Sequence, residues 1–376
     1  MTRPIAVRTL TSAEHLGFLD QRGSASFLQT PAWAEVKSEW RSESVGWYDG
    51  EDLVGAGLVL YRQLPKVKRY LAYLPEGPVL DWRRPDLAEL LNALAEHVKA
   101  EGAFAVRIGP PVVTRSWQAA TIKAAIADPQ QCRLADVPPD ARHDLGAQVQ
   151  QTLRSRGWRL LASEGGFAAG QPQYVFQIPL AGCAEEDLLR GMNQLWRRNI
   201  KKAAKLGVEV SVGDADAVAE FHRIYVETAE RDRFTPRPLS YFQTMHKALS
   251  AEDPDRIRVY LAHHEGDLVA ATLWIRVGTH TWYSYGASTT HKREVRGSNA
   301  VQWRMIQDAL AAGATTYDLR GITDTLDEDD PHIGLIQFKV GTGGEAVEYV
   351  GEWDLPIPGL VTGLIYRAFD LYLRRR

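Results

Sequence analysis

Two stretches of this sequence occur twice, in the same order and at nearly the same spacing. DLVGAGLVL at 52–60 matches DLVAATLWI at 267–275, and HVKAEGAFAVRIGP at 97–110 matches DALAAGATTYDLRG at 308–321, with offsets of 215 and 211 residues. The first pair follows turn residues typical of a hairpin, and the second pair combines a helix end, a glycine and a strand. Short apolar strands can also match by chance. The nearly equal offsets nevertheless predict one α/β module used twice.

The chain length agrees with this duplication. A chain of 376 residues with 45% hydrophobic and 24% charged residues suits two compact domains of about 150 to 200 residues each. We predict a first domain of residues 1–155 completed by 351–376, and a second domain of residues 156–350. A net charge of -3 excludes a globally basic nucleic-acid binder, but a local basic patch remains compatible with it.

Other compositional signals are weak. Cys132 and Cys183 lie far apart and have no CxxC partner, so neither a disulfide framework nor a zinc site is expected. No apolar run is long enough for a signal peptide or a membrane-spanning helix, which favours a cytoplasmic protein. The segment 359–376 reads as an amphipathic helix. We expect it to dock on the protein's own surface, with contact to a membrane surface as the alternative.

A single lysine stands out in GLIQFKVGTGGEAVEYVGEW at 334–353. Lys339 lies between Phe338 and Val340 in an apolar run that alternates like a strand. An unpaired buried charge is costly, so this lysine is expected either to extend to solvent or to have an anionic partner. The glycines after it do not form a nucleotide-binding loop, because no Gly-Lys-Ser/Thr follows them.

A second cluster of cations lies in the segment 193–210, on a predicted helix that ends before the predicted strand at 208–212. Trp196, Ile200 and Ala203 recur at helical spacing and form an apolar side. The cations of the same segment are Arg197, Arg198, Lys201, Lys202 and Lys205. Like charges on one helix repel each other, and phosphates of a nucleotide or of RNA would relieve that repulsion. A solvated charged face is an equally common explanation.

Two further segments carry candidate binding residues. PAWAEVK at 31–37 begins a helix in which Trp33 faces inward and Lys37 points the other way, as either a surface lysine or a ligand contact. RDRFTPRPLSYF at 231–242 combines arginines and aromatic residues around prolines. Such a loop either lines a site or faces solvent.

The order of elements predicted for the second half is that of an acyltransferase module of the GNAT type. We therefore expect an α/β (α+β) fold of two tandem GNAT-like domains with mixed sheets. An acetyl-CoA enzyme of this type carries a Q/R-x-x-G-x-G/A loop whose amides bind the pyrophosphate. The corresponding segment, HKREVRGSNAV at 291–301, has Arg296, Gly297 and Ala300 at a different spacing. Acetyl-CoA binding is therefore disfavoured.

Several motifs together resemble those of the FemABX family of aminoacyl-tRNA-dependent peptidyltransferases, over nearly the whole chain. They are PAWAEVK, WRRNIKKAAKLGVEV, WYSYGAS, YDLRGI and GLIQFKVGTGGEAVEYVGEWDLP. The resemblance implies a bacterial cytoplasmic enzyme that moves Gly, Ala or Ser from aminoacyl-tRNA to the stem-peptide amine of lipid II or UDP-MurNAc-pentapeptide. Peripheral contact with the inner membrane face is compatible with this role. No long heptad segment is present, so the chain resembles the short FemX type without a helical arm.

The resemblance also implies roles for individual residues. Lys339 matches the family's active-site lysine, next to Phe338, and Lys37 and Arg198 match basic residues assigned to the precursor diphosphate. Tyr285 falls on an aromatic position of the peptide channel. The remaining candidates for substrate binding are Trp33, Arg197 and Lys202.

The same likeness assigns the precursor to the first domain and aminoacyl-tRNA to the second. The family's first-domain strand usually ends in Asp-Pro, whereas this chain has Gly109 before Pro110, so a carboxylate base from that position is not expected.

The implied reaction is aminolysis of the ester that joins the amino acid to tRNA. It needs positioning, a proton acceptor and a cation where the oxyanion develops, and the last role suits Lys339. No metal or other cofactor is required. The alternatives are an acetyl-CoA-dependent N-acyltransferase and a non-catalytic protein that binds tRNA or cell-wall precursors.

Overall fold

The computed structural model describes residues 5–65, 67–161, 170–330 and 332–373. The strands are β1 (Ile5–Thr9), β2 (Arg41–Asp49), β3 (Asp52–Gln63), β4 (Tyr70–Leu74), β5 (Val79–Leu80), β6 (Ala103–Ile108), β7 (Val113–Gln118), β8 (Ala141–Arg142), β9 (Arg159–Leu160), β10 (Tyr174–Pro179), β11 (Glu209–Gly213), β12 (Ile257–His264), β13 (Asp267–Val277), β14 (His280–Ser288), β15 (Thr316–Ile322), β16 (Glu345–Tyr349) and β17 (Trp353–Pro356). The α-helices are α1 (Ser12–Asp20), α2 (Ala32–Val36), α3 (Leu87–Ala100), α4 (Ala119–Ile126), α5 (Asp144–Ser155), α6 (Glu185–Gly191), α7 (Gln194–Lys205), α8 (Ala217–Asp232), α9 (Leu239–Glu252), α10 (Gly297–Ala311), α11 (Ile333–Val340) and α12 (Leu360–Leu373).

The chain forms two compact units. The first comprises residues 1–115, 141–173 and 348–376, and the second comprises 116–140 and 174–347. These units differ from the predicted boundaries at 116–140, 156–173 and 348–350. The first of these segments contributes Trp117 and Ile122 to the apolar core of the second unit. The second segment contains β9, which pairs with β17 in the first unit.

The two units repeat one strand order. In the first unit, β1-β2-β3-β4 are antiparallel neighbours and β4 pairs with β6 in parallel. In the second unit, β11-β12-β13-β14 are antiparallel neighbours and β14 pairs with β15 in parallel. An antiparallel strand then follows in each sheet, namely β17 beside β6 and β10 beside β15. Both sheets are mixed, as predicted, and the module suggested by the repeated sequence is present in each unit.

Equivalent helices precede the parallel strands. Helix α3 buries an apolar face with the spacing of Leu87, Leu91, Leu94 and Val98, and α10 buries Val301, Met305, Ile306 and Ala309. Glycine follows closely after each helix, because the chain there adopts positive φ, 84° at Gly102 and 72° at Gly313. The same helix end thus precedes β6 in the first unit and β15 in the second.

The C-terminal helix α12 lies against the first unit. Tyr366 and Phe369 pack in one cluster with Leu71 and Phe104. This is the docking on the protein's own surface that the amphipathic pattern favours. Within the described ranges, none of the helices combines the length and the apolar character needed to cross a membrane.

Candidate functional site

Lys339 lies on helix α11 and not on a strand, so the strand prediction for this segment is wrong. Ile336, Lys339 and Val340 are the buried residues of this helix, at the i, i+3, i+4 spacing of one helical face. A short apolar run fits a strand and a helix equally well by periodicity alone, and here packing selects the helix.

The amine of Lys339 is buried among backbone carbonyl groups. The residue is 3% exposed, and its Nζ donates hydrogen bonds to Gly321 O at 2.7 Å and to Arg320 O at 3.3 Å. The side chain therefore does not reach solvent, and among the residues that the structure describes it forms no ion pair with a carboxylate. Burial lowers the pKa of Lys339 to about 7; the charge of Asp318 opposes this effect, and that of Arg320 adds to it. The amine is thus poised to change protonation near neutral pH.

A bulge in β15 supplies these carbonyl groups. Gln177 pairs with Asp318, but Val175 pairs with Gly321, so Leu319 and Arg320 lie opposite a single residue of β10. Arg320 has a φ of 64°, in the left-handed region that glycine favours. The bulge releases the Arg320 and Gly321 carbonyls toward Lys339.

Asp318 stabilises this turn from within. It is 1% exposed, and its Oδ1 accepts a hydrogen bond from the Arg320 amide at 2.5 Å. Its Oδ2 accepts from Gln177 Nε2 at 3.0 Å and lies 3.3 Å from His280 Nε2. Burial raises the pKa of Asp318, but the His280 contact, the charge of Arg320 and the Gln177 hydrogen bond outweigh it, so the pKa falls below its usual value. Asp318 is therefore a buried carboxylate.

Helix α7 packs directly on the end of α11. Trp196 Nε1 donates to Phe338 O at 2.8 Å, and the two rings lie 4.8 Å apart. Asn193 caps α7 through its side chain, while its amide donates to Gly341 O at 2.9 Å. A side chain at Gly341 would meet Trp196 Cδ1 at 2.3 Å, so glycine is required for this approach. The structure thus brings the Phe338–Lys339 pair and the basic helix together.

The cations of α7 surround this contact but do not reach Lys339. Arg197 is half-buried and donates to Arg190 O at 3.2 Å, whereas Arg198 and Lys202 are exposed. Among the described residues, no carboxylate forms an ion pair with Arg198, Lys201, Lys202 or Lys205. The helix therefore offers a cationic surface beside the buried site, which fits both a phosphate contact and a solvated face.

Tyr285 belongs to an aromatic cluster elsewhere in the second unit. Its ring lies 5.1 Å from that of Phe242, and its hydroxyl lies 3.4 Å from that of Tyr241. The Arg237 guanidinium covers the Tyr241 ring at 4.5 Å. The sequence indicates that the loop 231–242 is rich in arginine and aromatic residues, Arg237 and Tyr241 among them, but spacing alone does not show which arginine meets an aromatic ring.

Lys37 and Trp33 lie in the first unit and have different environments. The Lys37 amine is 3.8 Å from Glu39 Oε1 and 5.9 Å from the Trp40 ring centroid. Trp33 is a core residue that packs edge-on against Phe27 at 5.3 Å. The indole ring therefore supports the helix that ends at Lys37 and does not present an open face to a ligand.

A partly buried carboxyl group of the first unit lies beside Gly109, and no sequence pattern indicates it. Glu352 lies against Gly109, where a Cβ would meet Glu352 Cγ at 2.9 Å. Tyr73 donates to Glu352 Oε1 at 2.5 Å. Burial raises the pKa of Glu352, although Tyr73 and Arg107 act in the opposite direction. A carboxyl group thus occupies the space beside position 109 although that residue has no side chain.

The loop before α10 is not built like a pyrophosphate site. Lys292 is held by Asp267 at 2.9 Å and Glu265 at 3.0 Å. A side chain at Gly297 would meet Val269 Cγ2 at 2.7 Å, so this glycine allows close packing on the sheet. These contacts agree with the sequence argument against acetyl-CoA.

Known proteins with similar sequences identify the family of this chain. The sequence model of the FemAB family matches residues 10–264 and 255–369. The chain is 24% identical, over 420 aligned positions, to lipid II:glycine glycyltransferase of Staphylococcus aureus strain MRSA252, covering 92% of this chain and 91% of that protein. The enzyme of strain NCTC 8325 gives the same identity and coverage.

Solved structures share the fold. A crystal structure of FemX superposes with a TM-score of 0.80 at 22% identity, covering 96% of this chain and 99% of that one. A tandem GNAT protein from the clavulanic acid biosynthesis pathway gives a TM-score of 0.53 at 12% identity, covering 94% and 99%. The predicted tandem GNAT-like fold is therefore confirmed, and, because the family model spans most of its length, the chain belongs to the FemAB family.

Proposed function

We propose that this chain is an aminoacyltransferase that moves an amino acid from aminoacyl-tRNA to the stem-peptide amine of a muramyl-pentapeptide precursor, and so forms peptidoglycan cross-bridges. Family membership and the glycyltransferase relatives support the reaction class. The observation that carries the proposal is the buried amine of Lys339, with its pKa lowered to about 7. A perturbed group in such a site is typical of catalysis.

The chemistry is aminolysis of an activated ester. The precursor amine attacks the ester carbonyl, a C–N bond forms, and the C–O bond to the tRNA ribose breaks. One proton leaves the attacking amine and one reaches the departing hydroxyl. The protein must therefore orient the two substrates and stabilise the negative charge that develops on the carbonyl oxygen.

Lys339 suits the stabilisation of this negative charge because one of its N–H donors is left over. A protonated lysine has three N–H donors, and Gly321 O and Arg320 O accept two of them. The third donor is assigned to the oxyanion. In the neutral amine the same position carries a lone pair that can accept a proton. A pKa near 7 lets the group use either state during one turnover.

Binding of the charged substrates is assigned to cations in both units. We assign Lys37 and Arg198 to the precursor diphosphate, as the family resemblance implies, and the other cations of α7 in the second unit to aminoacyl-tRNA. Arg197 and Lys202 extend the cationic surface of α7. Arg237 and the Tyr241–Tyr285 pair are assigned to the peptide portion, because a guanidinium over an aromatic ring suits a ligand with both carboxylate and apolar groups.

The direct test is a transfer assay. The protein is incubated with a panel of charged tRNAs and with muramyl pentapeptide as lipid II in vesicles or as the UDP-linked form, with lysine or diaminopimelate at the third position. Mass spectrometry of the peptide then identifies the amino acid and the acceptor. Modification by acetyl-CoA instead of charged tRNA would support an N-acetyltransferase, and no modification in any arm would support a non-catalytic protein.

Lys339→Met tests the catalytic assignment. The variant keeps the apolar stem and removes the charge, so kcat should fall by about 10² to 10³ while precursor binding remains. Lys205→Met, which removes an exposed lysine of the same unit, is the matched control and should keep wild-type kcat. Wild-type turnover by Lys339→Met would show that the amine is structural.

Lys37→Ala and Arg198→Ala test the phosphate assignment. Each should raise the precursor KM about tenfold or more and leave stability nearly unchanged, since a charge-assisted contact contributes roughly 1.5 to 3 kcal/mol. Lys201→Ala is the control for Arg198 on the same helix. An unchanged KM in both variants would contradict the assignment.

A further inference from the structure

We propose that Asp318 is a positioning residue for the transfer reaction: it holds the turn whose carbonyl groups seat the Lys339 amine, and it supplies the negative charge that keeps a proton on that amine. The inference rests on the proposed function for its kinetic consequence only. It gives a role to a buried carboxylate that forms neither a hydrogen bond nor an ion pair with the lysine itself.

The first part of the argument is geometric. A non-glycine residue at positive φ is strained unless its surroundings hold it in place. Arg320 has such a φ, 64°, and the 2.5 Å hydrogen bond from its amide to Asp318 Oδ1 closes the turn locally. The two carbonyls that accept from Lys339 belong to this residue and the next. Asp318 therefore fixes the direction of both acceptors.

The second part is electrostatic. Carbonyl groups alone cannot balance a buried ammonium, and Asp318 is the carboxylate whose charge favours the protonated amine. Its own carboxylate is kept ionised by Gln177 and His280 on the neighbouring strands. The His280 ring is in turn fixed by stacking on Trp282 at 4.1 Å.

Other charges near the amine do not take over this role. The charged side chains and the histidine on the elements around α11 are Asp318 and Arg320 on β15, His280 on β14, Lys123 on α4, and Arg197, Arg198, Lys201, Lys202 and Lys205 on α7. The arginines and lysines of this set are cations and oppose protonation of Lys339, and Lys123 is exposed. His280, when protonated, does the same. Among these groups, Asp318 alone stabilises the ammonium.

The test separates the hydrogen bond from the charge. Asp318→Asn keeps a side-chain oxygen for the Arg320 amide and removes the charge, whereas Asp318→Ala removes both. Asp324→Asn is the matched control, because Asp324 is a buried carboxylate on the same segment that pairs with Arg133 at 2.6 Å. The Lys339 pKa is measured by NMR of protein labelled with ¹³C at lysine Cε, and the signal is assigned as the one missing from Lys339→Met.

In Asp318→Asn we expect the Lys339 pKa to fall by about one to two units. The limb of the kcat–pH profile that reflects Lys339 should move by the same amount. Asp318→Ala should also lower kcat at its optimum pH, since the Arg320 and Gly321 carbonyl groups are then no longer held toward the Lys339 amine. Asp324→Asn should leave both readouts unchanged. If Asp318→Asn does not fold, Asp318→Ser, whose hydroxyl also accepts from the Arg320 amide, replaces it with the same expected pKa shift.

A Lys339 pKa within about 0.3 unit of wild type in Asp318→Asn would overturn the inference. The same holds for an equal shift in Asp324→Asn. If the pKa shifts as expected but wild-type protein transfers nothing from charged tRNA, the proposed function fails, and Asp318 stands as the residue that sets the protonation of Lys339.

Discussion

The two repeated units place opposite charges at equivalent positions. By the offset of 211 residues, Arg107 on β6 corresponds to Asp318 on β15. Arg107 faces Asp354 across the strand pair and makes a two-point ion pair with it, at 2.7 and 2.9 Å. Asp318 faces the neutral side chain of Gln177 instead.

We call Arg107 and Asp354 of the first unit the closed pair, because each charge faces the opposite charge. We call Asp318 and Lys339 of the second unit the open site, because no charged residue faces Asp318 from β10. In the first unit the buried charges cancel, the β6–β17 register is regular, and the pKa of Arg107 stays above its usual value because the Asp354 contact outweighs burial. In the second unit no cation faces Asp318 from β10, and a bulge interrupts the β10–β15 register. The buried Lys339 has a pKa of about 7. One fold therefore carries a neutralised ion pair in one copy and a buried carboxylate near a buried lysine in the other.

The largest expected effect comes from breaking the closed pair. Asp354→Ala leaves Arg107 buried without its hydrogen-bonded ion-pair partner, since the Asp354 and Arg107 side chains are 2% and 8% exposed. We expect a loss of about 3 to 5 kcal/mol in the free energy of unfolding, measured with urea. The double variant Arg107→Met/Asp354→Leu removes both charges and should recover most of this loss. A cost below about 1 kcal/mol for Asp354→Ala would mean that water reaches Arg107.

The open site should show the reverse behaviour, because removing its charge is expected to stabilise the fold. Lys339 has a pKa of about 7 when folded and 10.5 as the reference, so between these values the unfolded chain binds more protons and stability rises with pH. From pH 7 to pH 9, wild type should gain about 2 kcal/mol relative to Lys339→Met.

The measurement is urea unfolding of both proteins at the two pH values, which cancels the contributions of all other titrating groups. Below pH 7 the difference between the proteins should become constant. Parallel stability curves from pH 7 to pH 9 would show that the lysine keeps its ordinary pKa and that the two units do not differ in this respect.

Much of this architecture could be predicted from the sequence, because its signals are local. The duplicated strands, the glycine after each equivalent helix and the amphipathic helix with Trp196 and Ala203 inside follow from periodicity and turn chemistry. Lys339 stands out as a charge in an apolar run, and the family resemblance implies a role for it and for Phe338. The structure adds that Trp196 joins them to the basic helix.

The contacts around Lys339 and Gly109 could not be predicted in this way. The helix at Lys339 depends on packing, and its carbonyl partners lie 18 and 19 residues away in the chain. Arg320 has a left-handed conformation without the glycine that usually indicates one. Glu352 approaches Gly109 only through the return of the C-terminal segment to the first unit. Such contacts leave no periodic pattern in the sequence.

A smaller change in the free energy of unfolding is expected at Gly344, which packs on the backbone of β10. An added Cβ at Gly344 would lie 2.0 Å from the backbone oxygen of Gln177, the residue opposite Asp318. Gly344→Ala should therefore cost about 1 to 3 kcal/mol, because backbone must move. Gly334→Ala, on the open side of α11, is the control and should be neutral or stabilising by about 0.5 to 1 kcal/mol. Equal unfolding midpoints for the two variants would contradict the tight packing.

The smallest effect concerns the backbone of the bulge, where position 320 corresponds to Gly109 of the regular copy. Arg320→Gly and Arg320→Ala both remove the side chain and its contacts, so their difference isolates the conformation at φ 64°. Glycine adopts this region without a steric penalty, whereas alanine does not, and Arg320→Gly should be more stable than Arg320→Ala by about 1 kcal/mol in urea unfolding. The order is informative because glycine normally lowers stability through the entropy of the unfolded chain. If the alanine variant is equally stable or more stable, the bulge has relaxed to a regular register. The position of the two carbonyl groups that accept from Lys339 would then depend on the arginine side chain and not on a conformation fixed by Asp318.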